Sequence, residues 1–285
     1  MSKKYQALTS RTLFVKAGEH NIAYRTMGSG RTIVLCNRFR GTLDTWDPEF
    51  LEQLAKKMQV IIFDYPGIGR STGQLAPSIL GVATDVKAFT TALNLERFVL
   101  LGWSYGGTAA QTFAAQFPEE ISHLVLIGTN PPGDNAVPPE QVFFDAALKP
   151  VNDFEDELVL FFEPLSASSV KAARLSHERI SARKEDFSIN VPPERFGDYF
   201  LGAADFKEDP CLTRIKLAAT NVPILCLMGD HDPSFPVENW FPLIRVWKTL
   251  QFIILPNSGH APQHEFPKLS ARYIHNFIKQ ISSAH

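Results

Sequence analysis

The stretch that most constrains this chain is residues 97–118, RFVLLGWSYGGTAAQTFAAQFP. Phe98-Val99-Leu100-Leu101 is apolar without alternation, at a length that suits a strand buried on both faces. Ala109, Ala110, Phe113 and Ala114 then give a helix of small and apolar residues, stopped by Pro118. Between the two lies Gly102-Trp103-Ser104-Tyr105-Gly106-Gly107, a G-x-S-x-G sequence in the strand-to-helix setting that gives this motif its meaning. So tight a turn leaves no room for side chains at both flanks, and Gly102 and Gly106 let strand and helix approach. The turn exposes the Ser104 hydroxyl at the carboxyl end of a sheet. The first amides of the following helix, and the positive end of its dipole, aim at the same point.

The rest of the chain supplies such a sheet. Thr12–Val15 and Ile22–Arg25, punctuated by Gly18 and Gly28-Ser29-Gly30, predict an edge hairpin. Buried strands are expected at Thr32–Cys36, Val60–Phe63, Leu124–Ile127, Val222–Met228 and Gln251–Leu255. Helices are expected at about 45–57 and 76–93, and a last one carries Phe266, Leu269, Tyr273, Ile274 and Phe277. Alternating strand and helix patterns predict an α/β fold: a mostly parallel central sheet with helices on both faces and ligands at the carboxyl ends of the strands. The rhythm breaks at Pro131. Up to about Thr220 no strand is expected, only helices near 139–148, 153–162, 167–184 and 193–204, rich in Phe. The division expected is a core domain of residues 1–130 and 221–285, with 131–220 as an inserted helical lid, or cap, over the strand ends.

Composition excludes several classes. A formal charge of −2 gives no reason to expect nucleic acid or an anionic membrane surface as partner. Cys36, Cys211 and Cys226 show no C-x-x-C spacing, and two of them fall in strand-like runs. They read as reduced thiols of a cytoplasmic protein with no metal site. The start, MSKKYQALTS, lacks the apolar core of a signal peptide, and no run reaches the length of a membrane span. Gly67 and Gly69 follow a strand, but the third glycine, Gly73, comes one place late for a dinucleotide loop. A small molecule is therefore the expected partner, and the sequence leaves the oligomeric state open.

A serine hydroxyl is a poor nucleophile at neutral pH unless a base takes its proton and an anion orients that base. Three candidates fall at the carboxyl ends of three separate strands: Ser104, then Asp230 or Asp232, then His260. That order is the one expected for one fold. Of the eight histidines, His260 lies in the loop after the last strand. His264, one helical turn further on, is expected outside the site. Asp232 is favoured over Asp230 because it stands further out, where the chain bends before Pro233. Asp230 then reads as a loop-capping carboxylate.

With these residues in place the chain resembles the α/β-hydrolase superfamily, in its lidded single-domain form, from about residue 10 to 282. The resemblance is carried by GWSYGG at 102–107, DYPGIGRS at 64–71, GDHDPSFP at 229–236 and SGHAPQHEFP at 258–267. It implies Ser104 as nucleophile, His260 as base, Asp232 as acid, and the Tyr105 N–H as half of an oxyanion hole. The other half departs from the pattern. Where relatives carry His-Gly, this chain has Asn37-Arg38, followed by Phe39, whose N–H would be the second donor. A backbone donor does not depend on its own side chain. Arg38 and Arg40 could bind a substrate carboxylate; the plainer expectation pairs them with Asp44, Asp47 or solvent. Trp103, Phe143 and Phe162 are further candidates for the substrate pocket. The resemblance implies a cofactor-free serine hydrolase (carboxylesterase-like) acting on a small to medium, largely apolar ester or lactone. Carbon–carbon bond hydrolysis and perhydrolysis use the same triad, and a non-catalytic receptor can use the same scaffold. Serine at the nucleophile position argues against epoxide hydrolases and haloalkane dehalogenases.

Overall fold

A computed structural model describes residues 5–282 of the 285; the outermost parts of the expected core domain, residues 1–4 and 283–285, lie outside them. The elements run in chain order β1 (Leu13–Ala17), β2 (His20–Gly28), β3 (Arg31–Cys36), α1 (Pro48–Ala55), β4 (Met58–Phe63), α2 (Ile79–Ala92), β5 (Phe98–Trp103), α3 (Tyr105–Gln116) and β6 (Ile121–Ile127). Helices α4 (Gln141–Ala147), α5 (Phe154–Phe161), α6 (Ala167–Ile180), α7 (Phe196–Glu208) and α8 (Thr213–Ala219) follow. The chain closes with β7 (Ile224–Gly229), β8 (Leu250–Leu255), α9 (Pro262–Glu265) and α10 (Pro267–Ser282).

The strands form one sheet in the order β1-β2-β4-β3-β5-β6-β7-β8. The β1–β2 and β2–β4 pairings are antiparallel and the rest parallel. Side chains alternate across it as a period of two requires. Val34, Cys36, Leu100, Leu126 and Cys226 face α2 and α3, whereas Ile33, Leu35, Leu101, Val125 and Leu227 face α1 and α10. Both faces are covered, so the central strands read as unbroken apolar runs.

Helix boundaries follow local chemistry. Helix α1 starts at Pro48 rather than near 45 because the Asp47 carboxylate caps it, accepting from the Glu49 N–H. Helix α2 starts after the Ser78 cap. Helix α5 opens on a reciprocal capping box between Asp153 and Asp156. Helix α8 was not expected; it follows Asp209 and Leu212, both in left-handed backbone, and the Asp209 carboxylate accepts from the Thr213 and Arg214 amides. Between β6 and β7 the described residues contain no strand. The pairings Cys36 with Gly102, Trp103 with Ile127 and Gly229 with Leu255 bring the carboxyl ends of β3, β5, β6, β7 and β8 to one edge. All three cysteines are free thiols, Cys36 and Cys226 buried and Cys211 partly so. Among the described residues no helix is long and apolar enough to cross a membrane.

Candidate active site

Ser104 sits between β5 and α3 with φ 59° and ψ −123°, a conformation that an L-residue holds only when its surroundings enforce it. Its N–H donates to the Ile127 carbonyl at 3.0 Å, and its own carbonyl accepts from the Gly107 N–H at 2.8 Å. A Cβ on Gly106 would overlap the Cys36 and Asn37 carbonyls, so the start of α3 lies hard against the end of β3. This contact holds the serine turn against the Asn37–Phe39 loop.

The His260 ring is 2 % exposed, and its Nδ1 lies 2.8 Å from Asp232 Oδ2. Asp232 Oδ1 accepts from the Ser234 and Phe235 amides at 2.8 and 2.9 Å, which fixes the carboxylate. With a carboxylate facing it, Nδ1 carries the ring proton and Nε2 is left as the acceptor. The Trp103 indole donates to the His260 carbonyl at 3.0 Å, and Phe161 and Phe235 pack against the ring. Asp230 pairs instead with its neighbour His231 and accepts from the Ser258 amide, a loop-bracing arrangement. His264 is buried away from the serine. Its ring lies against Trp103, its Nε2 accepts from the Asp47 amide, and burial holds its pKa well below the ordinary value.

Ser104 lines two adjoining cavities. The smaller, about 30 Å³, is shared with His260, Arg38, Phe39, Phe143 and Phe161. The Ser104 hydroxyl makes no hydrogen bond to the ring here; such bonds often form only with substrate in place. The larger cavity, about 290 Å³, is walled mainly by aromatic and proline side chains, among them Phe143, Phe144, Tyr199, Phe200 and Phe235, with Thr108, Asn130, Asn135 and Lys207 as polar exceptions beside Ser104. The hydroxyls of Tyr105 and Tyr199 are buried without a partner, and burial raises both phenols above their usual range.

The Asn37–Phe39 loop is fixed by its first residue. Asn37 Nδ2 donates to the Thr42 carbonyl at 2.7 Å and to Thr45 Oγ1 at 3.0 Å, and Asn37 Oδ1 accepts from the Arg38 amide at 2.9 Å. Arg38 keeps ordinary backbone angles; Arg40 takes the left-handed conformation of this loop, φ 58°. Among the described residues the Phe39 amide has no protein acceptor. The Tyr105 amide opens α3, where no carbonyl lies four residues back within the helix.

Several expectations are corrected. Arg38 and Arg40 do not pair with Asp44 or Asp47. Asp44 is taken by Arg25 at 2.5 Å, and Asp47 by Arg179, at 2.6 Å in its shortest contact. Arg40 binds the carbonyls of Ala147, Lys149 and Pro150, at and just past the end of α4. Trp103 does not line either Ser104 cavity, because alternation along β5 turns its side chain to the α1/α10 face with Leu101. Phe162 packs with Leu158 and Ala173 between α5 and α6, and its neighbour Phe161 is the one that reaches the serine. Phe143 lines both cavities that Ser104 lines. Sequence reasoning missed the Asn37 clamp, although a lone amide side chain ending an apolar strand was its signal.

The family model described as alpha/beta hydrolase fold matches residues 31–267. The chain is 26% identical over 267 residues to a pimeloyl-[acyl-carrier protein] methyl ester esterase of Legionella pneumophila (strain Paris), covering 91% of this chain and 100% of that protein. An alpha/beta hydrolase fold protein from Chitinophaga pinensis superposes with a TM-score of 0.85 at 25% identity, over 95% of this chain and 98% of that one. A thermophilic esterase from Thermogutta terrifontis, 22% identical, shares the fold with a TM-score of 0.73 over 95% and 99% of the two chains. With a sheet of this order and a match across most of its length, the chain belongs to the alpha/beta hydrolase fold family.

Proposed function

We propose that the protein is a serine hydrolase that cleaves a small to medium, largely apolar carboxylic ester or lactone through an acyl-enzyme. The observation that carries this reading is the 2.8 Å contact from His260 Nδ1 to Asp232, on a ring that shares a cavity with Ser104. His260 Nε2 takes the Ser104 proton as Oγ attacks the carbonyl, and the Asp232 carboxylate stabilises the imidazolium that forms. The amides of Phe39 and Tyr105 receive the developing oxyanion, with the dipole of α3 behind them. Collapse expels the alcohol, protonated by His260, and water activated by the same ring releases the acid. Each step uses groups of this chain and needs neither metal nor cofactor.

In this reading residues 131–220 are the cap, and the aromatic 290 Å³ cavity beneath them takes the apolar arm of the substrate. The kinship with a methyl ester esterase supports ester chemistry over other uses of the fold. The test is labelling with a fluorophosphonate, together with turnover of esters of graded acyl length, lactones and diketones. Labelling of the wild type and none of Ser104→Ala is expected, with turnover greatest on an ester or lactone. A folded wild type that takes up no label would point to a receptor instead. Turnover confined to diketones would replace ester cleavage with carbon–carbon cleavage.

A further inference from the structure

We infer that Arg38 binds a carboxylate of the substrate, so that the favoured ester carries a carboxylate on its acyl side, close to the scissile carbonyl; this rests on the function proposed above. The buried and half-buried arginines Arg25, Arg179, Arg183 and Arg40 are occupied. Arg25 pairs with Asp44, Arg179 forks onto both oxygens of Asp47, and Arg183 donates to the Ala7, Ser10 and Asp186 carbonyls. Arg40 is spent on three carbonyls. Arg38 is the exception. Among the described residues the single hydrogen bond of its guanidinium runs from Nη1 to the Phe39 carbonyl at 2.7 Å, and its Nε is sealed from solvent without a partner.

Among the described residues no carboxylate lies within ion-pair distance of this cation, although the charge of Glu157 acts on it through space. The guanidinium carbon lies 4.5 Å from the centre of the Phe161 ring and 5.4 Å from that of Trp103. Glu157, which shares an adjoining cavity with Arg38, is engaged by His177 at 2.7 Å. Among the described residues Arg38 forms no ion pair. Burial, and then the charge of Arg40, lowers its pKa to about 10, which leaves it cationic at neutral pH. A cation drawn partly out of water without a paired counter-ion is costly, and a guanidinium presents a planar fork that a carboxylate matches.

Position names the substrate. Arg38 lines the same small cavity as Ser104 and His260, whereas the aromatic chamber that takes the apolar arm meets Ser104 without Arg38 in its lining. A carbonyl seated at Ser104 would therefore have its apolar alcohol in the large chamber and a short acid-bearing acyl group toward Arg38. The product would be a dicarboxylic acid, and the reaction that supplies the substrate is one that makes a half-ester.

The plain alternative is that Arg38 only props Phe161 and the loop. A comparison of monohexyl succinate with hexyl isocaproate, its neutral isostere, separates the two. Wild type is expected to favour the half-ester in kcat/KM, and Arg38→Gln to lower the acid-to-neutral ratio by about 10²-fold, whatever it does to both rates. Arg38→Lys, which keeps the charge and loses the fork, should fall between. Equal rates on the two esters by wild type, or a ratio that Arg38→Gln leaves unchanged, would overturn the inference while leaving the hydrolase intact. Should neither ester turn over, calorimetry on Ser104→Ala decides: monohexyl succinate is expected to bind and its primary amide to bind at least about tenfold more weakly. Equal binding of the two would also overturn it.

Discussion

The sheet and the helical segment between β6 and β7 are stabilised by a different balance of apolar packing and polar contacts. Strands β5 and β7 are buried from end to end and β3 from Ile33 onward, and their apolar side chains pack on two covered faces. The helical segment is mixed: Phe196, Tyr199, Phe206 and Leu217 join the core that packs on one face of the sheet, whereas α6 buries little apolar surface. In α6 the buried residues are Ser169, Ala173 and Ser176, and the segment leaves Val151, Leu165, Ile189 and Ile215 more than half exposed. Polar latches also fasten it to the core. Arg179 and Ser176 hold Asp47, Ser188 holds Asp64, Arg70 pairs with Asp186, and Arg40 holds the carbonyls beyond α4. The candidate nucleophile, base and acid all belong to the first region, and most of the substrate wall belongs to the second. Rigid placement of reacting groups and an adjustable wall are thus assigned to separate parts of one chain.

The largest effect expected from that division is catalytic. Asp232→Asn keeps an oxygen for the Ser234 and Phe235 amides but turns His260 toward the wrong tautomer. A loss of about 10⁴ in kcat is expected, with little change in stability. Phe200→Ala, in the wall, should leave kcat on a short ester nearly unchanged. It should shift the preference between long and short chains by about 10-fold. Steady-state kinetics on a graded ester series reads both. Similar losses for the two variants on every ester would erase the distinction.

The next effect is on stability. Asp47 is fully buried and accepts from Arg179 Nε and Nη2, from Ser176 and from the Glu49 amide that it caps. Arg179→Met leaves that carboxylate buried without its counter-ion, and a cost of about 3–5 kcal/mol is expected in urea unfolding. Hydrogen exchange should quicken in α6 before it does in β5 or β6. Uniform acceleration would mean that the two regions open together.

How much of this could be read in advance also divides along the same line. The central strands were legible because a two-sided sheet demands unbroken apolar runs, and the serine turn because Gly102 and Gly106 mark close approaches. The order of Ser104, Asp232 and His260 was legible because each follows a strand. The wall was not. Phe161 and Phe162 are chemically identical in sequence, and only the orientation at the end of α5 decides which one faces Ser104. Trp103 misled because it adjoins the serine, yet alternation along β5 sends it to the opposite face. The partners of Arg38 and Arg40 were illegible because Arg25 and Arg179, distant in sequence, claim Asp44 and Asp47 first.

The smallest effect concerns acid, and it falls on the sheet. His123 lies in β6, 4 % exposed, against Phe277 of α10. Burial first, then the charges of Arg31 and Arg97, pull its pKa from 6.5 to about 4. Below 6.5 the unfolded chain binds a proton that the folded chain refuses. The stability is therefore complete above 6.5 and is lost as pH falls toward 4, by about 1–3 kcal/mol. His264, also depressed by burial, adds to the loss. Asp64, pushed up to about 6 by burial, acts in the opposite sense, since its folded form takes up a proton more readily than the unfolded one. A variant isolates the histidine from both. In His123→Phe the drop in unfolding free energy between pH 7 and pH 4.5 should shrink by about 1–2 kcal/mol relative to wild type. Two parallel stability curves would mean that His123 titrates alike in both states. Were the curve to flatten while exchange at low pH still began in α6, the helical segment would be the acid-sensitive region, and the contrast with the sheet would need redrawing.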